Sequence, residues 1–407
     1  MDAGGYAPVS TLRAARAANS VAFGLQGFFL AVILTELPQQ RDRFGLSDTQ
    51  ILLATVLISL LAAAGSVTAE RLAVRWSSRL ALRFGLGLIA ATGAGIALAP
   101  NVAVLFVALA GYGIAVGVVD AATNMQAVFI QHGYGKVVLS SFYAAWSAGS
   151  ILGALFVSGC ESLDVSLPVA VFTAAAIVLV GGLLLGPRLL GTRQAEAEPD
   201  ESAAAESVAL RAYLAIGVAM ALMFAVDLAV GSWSALYLRD ELTASSATAA
   251  LALAAYQGAS LTGRLTGDLW VRRFGPRAVV RVAATIGAVG LALVVLAPGP
   301  YAAIAGFLIA GIGLPVIAPL CFSEAGQLTG GRGLDALIAR LNLFNYAGTL
   351  IGGGLVGALA DATSRRIGFV LPLVFAFVLI VAARFFHARP TAGKPVGPKS
   401  GHAVLEE

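Results

Sequence analysis

Twelve apolar stretches, most of them near 20 residues long, follow one another along the chain with only short breaks, and nothing constrains its fold more. They cover residues 18–38, 48–69, 80–99, 102–130, 137–158 and 167–186, then 209–237, 246–267, 278–297, 301–323, 335–360 and 367–386. About 20 apolar residues in a helix cross roughly 30 Å of hydrocarbon, where the backbone must satisfy its own hydrogen bonds. The expected fold class is therefore an all-α membrane protein with about twelve transmembrane helices. Charged residues make up 12% of the chain, against about 25% in an average soluble protein. That deficit excludes an ordinary soluble enzyme. The 47 glycines suit helices that approach closely in lipid. Turn formers such as Pro100-Asn101 and Pro298-Gly299-Pro300 fill the links.

Topology follows from the basic residues. Of 26 Lys and Arg, only Arg41, Arg43, Arg239, Arg365 and Arg366 fall in the odd-numbered loops. This bias puts both termini in the cytoplasm of a cell membrane, of bacterial inner-membrane type. It also accounts for the net charge of +4 without nucleic acid. Pro187 to Ser207, with Glu196, Glu198, Asp200, Glu201 and Glu206, is the one long polar interruption. The expected organisation is a six-helix bundle over 1–186, a cytoplasmic linker over 187–208, a second bundle over 209–387 and a cytoplasmic tail over 388–407. The linker has a competing reading as a docking segment. Arg13 and Arg16 precede the first span without a small-residue cleavage site, so no cleaved signal peptide is expected. Cys160 and Cys321 sit in separate segments with no metal-ligand spacing. No cofactor or metal is expected, and the chain is expected to act as a monomer.

The two bundles read as copies of one unit. Arg41-Asp42-Arg43-Phe44 recurs 198 residues later as Arg239-Asp240-Glu241-Leu242. Gly65, Thr68, Glu70, Arg75, Trp76 and Arg79 recur at the same spacing as Gly263, Thr266, Asp268, Arg273, Phe274 and Arg277. Ala148-Gly149-Ser150 returns 199 residues on as Ala347-Gly348-Thr349. Short apolar matches are common in membrane sequences, but charged matches at one offset are not.

At these residues the chain resembles the major facilitator superfamily. Gly263-Arg264-Leu265-Thr266-Gly267-Asp268, followed by Arg272-Arg273-Phe274-Gly275-Pro276-Arg277, looks like the second-half version of its signature loop. The first-half copy, Glu70 to Arg79, departs by carrying Ser77 and Ser78 where glycine is usual. Asp120-Ala121-Ala122-Thr123-Asn124 resembles the fourth helix of fucose-permease-like members. The resemblance implies two pseudo-symmetric six-helix bundles, alternating access and proton-coupled sugar import. The arginine-led antiporter motif of the fourth helix and the glycine-proline element of drug exporters in the fifth are absent from the sequence.

Asp120 is the leading candidate for proton coupling. Gly113, Gly117, Asp120 and Asn124 lie on one narrow helical stripe. A carboxyl in mid-membrane costs roughly 2.5–3.5 kcal/mol on insertion scales, so it faces a cavity or a partner. Removal from water disfavours its charged form, which allows proton uptake and release to enter a cycle. The plainer alternative is a structural Asp held by donors. Asp227 is the second candidate, with an Asp near the outer water or one holding a neighbouring helix as its alternative. The substrate-binding candidates are Gln26, Asn124, Tyr143, Trp146, Ser147, Asn342, Asn345 and Tyr346, whose amides, hydroxyls and ring faces suit a polyol. Ordinary interhelical hydrogen bonding competes with that reading. Glu70, Arg75, Arg79, Asp268, Arg273 and Arg277 are read as a cytoplasmic gate of acid–arginine contacts, with positive-inside topology as the alternative. Pro315 and Pro319 are expected to bend the tenth span. Glu36 is expected at the outer end of the first span, in water or in a gate contact, His132 in water, and Trp233 and Tyr237 in an interfacial belt.

The reading that best joins these features is a secondary transporter of a small polar, sugar-like solute, working as a proton symporter. An antiporter exporting hydrophobic compounds is the alternative within transport, and a transport-incompetent receptor the alternative outside it. No nucleophile–base pair, metal cluster or phosphate-cradling Gly-Lys-Ser/Thr loop occurs, so neither an enzyme nor an ATP-driven pump is expected.

Overall fold

The computed structural model describes residues 9–191, 210–328 and 334–388. Most of the expected linker and nearly all of the expected tail lie outside the described residues. Twelve long helices carry the fold, numbered here in chain order. The first half comprises α1 (Val9–Thr35), α2 (Asp48–Arg75), α3 (Ser78–Ala97), α4 (Val102–Tyr134), α5 (Leu139–Ser162) and α6 (Leu167–Leu185). The second comprises α7 (Leu210–Asp240), α8 (Ser246–Phe274), α9 (Pro276–Leu296), α10 (Pro300–Gly313 and Ile317–Leu328), α11 (Leu334–Leu350 and Val356–Ala362) and α12 (Val370–Ala382). Eleven of these spans are long and apolar enough to cross a membrane on their own. The twelfth, α8, falls short because Tyr256, Gln257, Ser260, Arg264 and Asp268 dilute its apolar character.

Local chemistry sets the helix ends. Ser47 and Gln50 form a capping box at the start of α2, and Ser77 and Asn101 cap α3 and α4 through their side chains. Gly135 ends α4 in the left-handed region at φ 59°. A tight 3₁₀ turn, Leu314–Val316, interrupts α10 where Pro315 removes a backbone donor, as expected of that span. A π-turn, Ile351–Leu355, interrupts α11 across its three consecutive glycines.

The duplication expected from sequence reappears as packing. In the first half α1 packs on α5, α2 on α4, and α3 on both α4 and α6. In the second, α7 packs on α11, α8 on α10, and α9 on both α10 and α12. The closest approaches match as well. A Cβ on Gly149 would stand 2.0 Å from the Gly24 carbonyl oxygen, and one on Gly348 would stand 2.1 Å from that of Ala221. Only glycine lets α5 reach α1, and α11 reach α7, at that distance. Outward faces carry apolar side chains such as Leu152, Leu155, Leu183, Leu269 and Phe377, each about half exposed or more. A surface of that kind fits lipid rather than water.

The halves meet along two matching seams, α2 on α11 and α5 on α8. Polar side chains cluster on both.

Candidate functional site

Asp120 lies just past the midpoint of α4, facing the seam between the halves. The Gln26 amide of α1 donates to its Oδ1, and the Tyr346 hydroxyl of α11 donates to its Oδ2 at 2.5 Å. One carboxyl thus ties helices from both halves together. Asn124, one turn on, donates to the Asp120 carbonyl at 2.9 Å and accepts from the Tyr143 hydroxyl at 3.1 Å. Asn342 donates across the seam to Ser66 of α2 at 3.0 Å and accepts from Asn345 at 3.3 Å. Tyr346 also interacts with Ser66 and Asn342, so the candidates Gln26, Asn124, Tyr143, Asn342, Asn345 and Tyr346 form one connected network around Asp120. Ser147 and Trp146 face a different partner, Arg264 of α8. Ser147 accepts from Arg264 Nη1 at 2.7 Å, and the guanidinium lies over the Trp146 ring at 5.8 Å. Asp227 of α7 stands apart from Asp120, near Tyr256 and within the field of Arg264, and its Oδ1 is buried without a hydrogen-bond partner.

The acid–arginine contacts expected of a gate take a different form. Among the described residues Asp268 meets no arginine at salt-bridge distance, and Arg272 reaches it through its field alone. Asp268 accepts from the backbone N–H groups of Ser140 and Ser141, at 2.9 and 3.0 Å, at the N-terminus of α5. Those N–H groups lack intrahelical partners, so a carboxylate there also meets the positive end of the helix dipole. Arg272, one turn further, donates from Nε and Nη2 to the Val137 carbonyl at 3.0 and 2.7 Å. On the other seam Glu70 pairs with Arg340 at 3.0 Å, where Arg340 is 63% exposed. The other four gate candidates do not bridge the halves in this way. Arg75 and Arg273 lie over their neighbours Trp76 and Phe274, Arg277 donates to the Phe386 carbonyl within its own half, and Arg79 lies beside Gly191. Gln131 of α4 adds a further contact between the halves by donating to Ser323 of α10 at 2.7 Å. These contacts join the halves on the side where α4 ends and α5 begins.

Three peripheral expectations are corrected. Glu36 is 1% exposed, not in water; it sits where the helix Leu37–Phe44 continues from α1, its N–H donating to the Val32 carbonyl and its carbonyl accepting from the Gln40 N–H. His132 lies within the last turn of α4 and is partly buried beside Gly326. Tyr237 is fully buried and donates to the Val294 carbonyl at 2.8 Å. Leu189, inside the expected linker, is 3% exposed, and the Leu190 backbone exchanges hydrogen bonds with Gln126. The first residues after α6 therefore pack against the bundle.

The comparisons with known proteins agree with this architecture. The family model for the Major Facilitator Superfamily matches residues 215–406. An uncharacterized transporter, y4wD of Sinorhizobium fredii, is 32% identical over 372 residues, which covers 89% of this chain and 95% of that protein. The chain belongs to the major facilitator superfamily. Two crystal structures share the superfamily fold with it. FucP in the outward conformation is 20% identical, with a TM-score of 0.74 over 91% of this chain and 97% of that one. The E. coli fucose:proton symporter FucP is 19% identical, with a TM-score of 0.76 over the same shares.

As a superfamily member the chain is a multi-pass membrane transporter and not an enzyme. Its polar seam contains residues that sequence reasoning missed: Ser66, Gln131, Ser140, Tyr256, Ser323, Arg340 and above all Arg264. Most are isolated polar residues with no pattern to set them apart. Arg264 did carry a signal, since it breaks an otherwise apolar and small-residue run, but its place in a loop signature obscured its position inside α8.

Proposed function

We propose that the chain is a secondary active transporter that moves a small polar, sugar-like solute by proton symport and alternating access. In this reading the rocking units are the bundles over 1–186 and 209–387, both termini are cytoplasmic in a cell membrane, and the protein works as a monomer. The observation that carries the proposal is the Asp120 carboxyl, which accepts from Gln26 in one half and Tyr346 in the other. As a carboxylate it offers lone pairs to both donors; once protonated, one oxygen becomes a donor itself and the arrangement must change. Proton binding thereby acts on a contact between the moving parts, which is what coupling requires. Asn124, Asn342, Asn345, Tyr143 and Trp146 would then meet the solute, their amides toward hydroxyls and their rings toward C–H faces. The likeness to a structure described as a fucose:proton symporter supports the same reading.

The test begins with a thermal-shift screen of purified protein against sugars, sugar acids and cationic drugs. Hits are then measured for flux into proteoliposomes with an imposed pH gradient. Asp120→Asn keeps the fold and solute exchange but abolishes gradient-driven accumulation. Full gradient-driven accumulation by that variant removes Asp120 from the coupling role. Proton-driven extrusion of a hydrophobic cation by the wild type would replace symport with export.

A further inference from the structure

Arg264 is the most conspicuous buried charge that the proton-coupling network leaves unused. It lies in α8 one helical turn from Asp268, toward the middle of the seam, and is 4% exposed. A guanidinium is always ionised, so burying it requires compensation. The compensation present is incomplete. Nη1 donates to the Ser147 hydroxyl at 2.7 Å, and the guanidinium carbon lies 5.7 Å from the Tyr143 ring centroid and 5.8 Å from that of Trp146. Nε has no hydrogen-bond partner. Among the described residues no carboxylate lies within the 4.0 Å of an ion pair with it, and Asp227 reaches it through its field alone.

Two roles could explain a buried cation at a seam. As a mere latch between the halves, Arg264 would be an expensive choice, because its one bond goes to a neutral hydroxyl. The pseudo-equivalent position in α2, 198 residues earlier, is Ser66, which bridges its own seam without any charge. A latch of this geometry thus does not need an arginine. An anion receptor does need one. The flat guanidinium is held between aromatic rings and a hydroxyl, with a donor left over, and its fork matches both oxygens of a carboxylate.

We infer that Arg264 anchors a carboxylate on the transported solute, which is a hydroxylated acid of the sugar-acid type. This inference rests on the transport reading above and narrows its substrate. The acid group docks on Arg264 with Ser147 as its neighbour, and the hydroxylated remainder extends over Trp146 toward Asn124 and Asn345. Asp227, facing the same guanidinium, offsets its charge before the solute arrives. Each half of the seam then contributes one charge with a distinct task, Asp120 for the proton and Arg264 for the anion.

The test uses matched probes that differ at one group: D-glucuronate against D-glucose, D-galacturonate against D-galactose, and D-gluconate against D-sorbitol. Full-length protein in nanodiscs is examined by thermal unfolding and by isothermal titration. At least one acid is expected to bind and stabilise the wild type while its neutral partner does not. Arg264→Gln should weaken that binding about 10- to 100-fold, and Arg264→Lys by less. Equal binding of acid and neutral partner, binding undiminished in Arg264→Gln, or binding of none of the three acids each overturns the inference. The wild-type comparison of acid with neutral partner stands even if the variants fail to fold. Gradient-driven uptake of a neutral sugar, unaltered in Arg264→Gln, would leave the transport reading intact and remove only this one. Acid binding that depends on Arg264, without any flux, would do the reverse.

Discussion

Asp268→Asn tests how the seam is held shut. The carboxylate of Asp268 takes one backbone N–H from Ser140 and another from Ser141, one on each oxygen. Asparagine keeps one acceptor and turns an NH₂ group toward the second N–H, so one charge-assisted bond is lost, worth about 1.5–3 kcal/mol. The favourable charge at the start of α5 goes with it, worth about 0.3–1 kcal/mol. The sum, roughly 2–4 kcal/mol, changes the ratio of closed to open seam by roughly 30- to 900-fold. The matching change on the other seam should do far less. Glu70 and Arg340 form a pair in which the arginine is 63% exposed, and exposed pairs contribute about 0–1 kcal/mol. Spin labels at Arg71→Cys and Arg281→Cys, both exposed and on opposite halves, report the opening by double electron–electron resonance once Cys160 is replaced by serine. Asp268→Asn is expected to add a long-distance population, and Glu70→Gln to leave the distribution nearly as it was. Equal responses of the two variants, or an unchanged distribution in a folded Asp268→Asn protein, would refute the helix-terminus account of closure.

Further expectations follow from packing and burial. Gly149→Ala places a methyl 2.0 Å from the Gly24 carbonyl oxygen, a backbone atom that cannot swing aside, and should cost about 1–3 kcal/mol or more. Gly87→Ala meets nothing within 4 Å and should be stabilising by about 0.5–1 kcal/mol; thermal unfolding in detergent that shows equal effects at both sites would contradict the close-packing argument. Glu36, just past α1, is held above the usual carboxylate range by burial and then by the neighbouring Glu161. Stability tied to its proton is therefore complete at acid pH and is lost as pH rises through the raised folded value. Glu36→Gln should match the wild type near pH 4 and surpass it increasingly toward about pH 8, so parallel pH profiles of the unfolding temperature would sink the idea.

The parts of this molecule legible in its sequence are those that lipid enforces. A spanning helix has no alternative way to satisfy its backbone, so the apolar runs mark the helices and the basic residues cluster at loops. The stripe from Gly113 to Asn124 was legible for the same reason, because a carboxyl in that setting must face something polar. Partner identity was not. The sequence pairs Asp268 with arginines by charge, yet the available donors nearest to it are the backbone N–H groups of α5, which carry no side-chain signal. Arg264 falls three residues before the end of the apolar run at about residue 267, whereas the helix continues to Phe274 and leaves the guanidinium well inside it. Tyr237 shows the same limit, since an aromatic near a helix end is either a belt residue or a buried donor, and only the neighbouring Val294 carbonyl decides between them.

The two seams show what duplication leaves fixed and what it frees. At offsets of 198 on α2 and α8 and 199 on α5 and α11, Glu70 corresponds to Asp268, Ser66 to Arg264, Ser141 to Arg340 and Ser147 to Tyr346. The same positions meet across both seams: Asp268 with Ser141 and Glu70 with Arg340, Arg264 with Ser147 and Ser66 beside Tyr346. Backbone approach at Gly149 and Gly348 fixes how α5 and α11 sit within their own halves, and so which side chains each presents to its seam. Side-chain chemistry at each position is free to differ, and it does. One seam closes through a carboxylate on a helix terminus and holds the buried cation; the other closes through a weak exposed pair and meets the buried acid. A perfectly symmetric protein would have to bind proton and solute at equivalent places and could not assign them different tasks. In the proposed transport reading, divergence at matched positions on a duplicated scaffold separates the two sites and keeps both on the contact between the halves, where one binding event would act on the other.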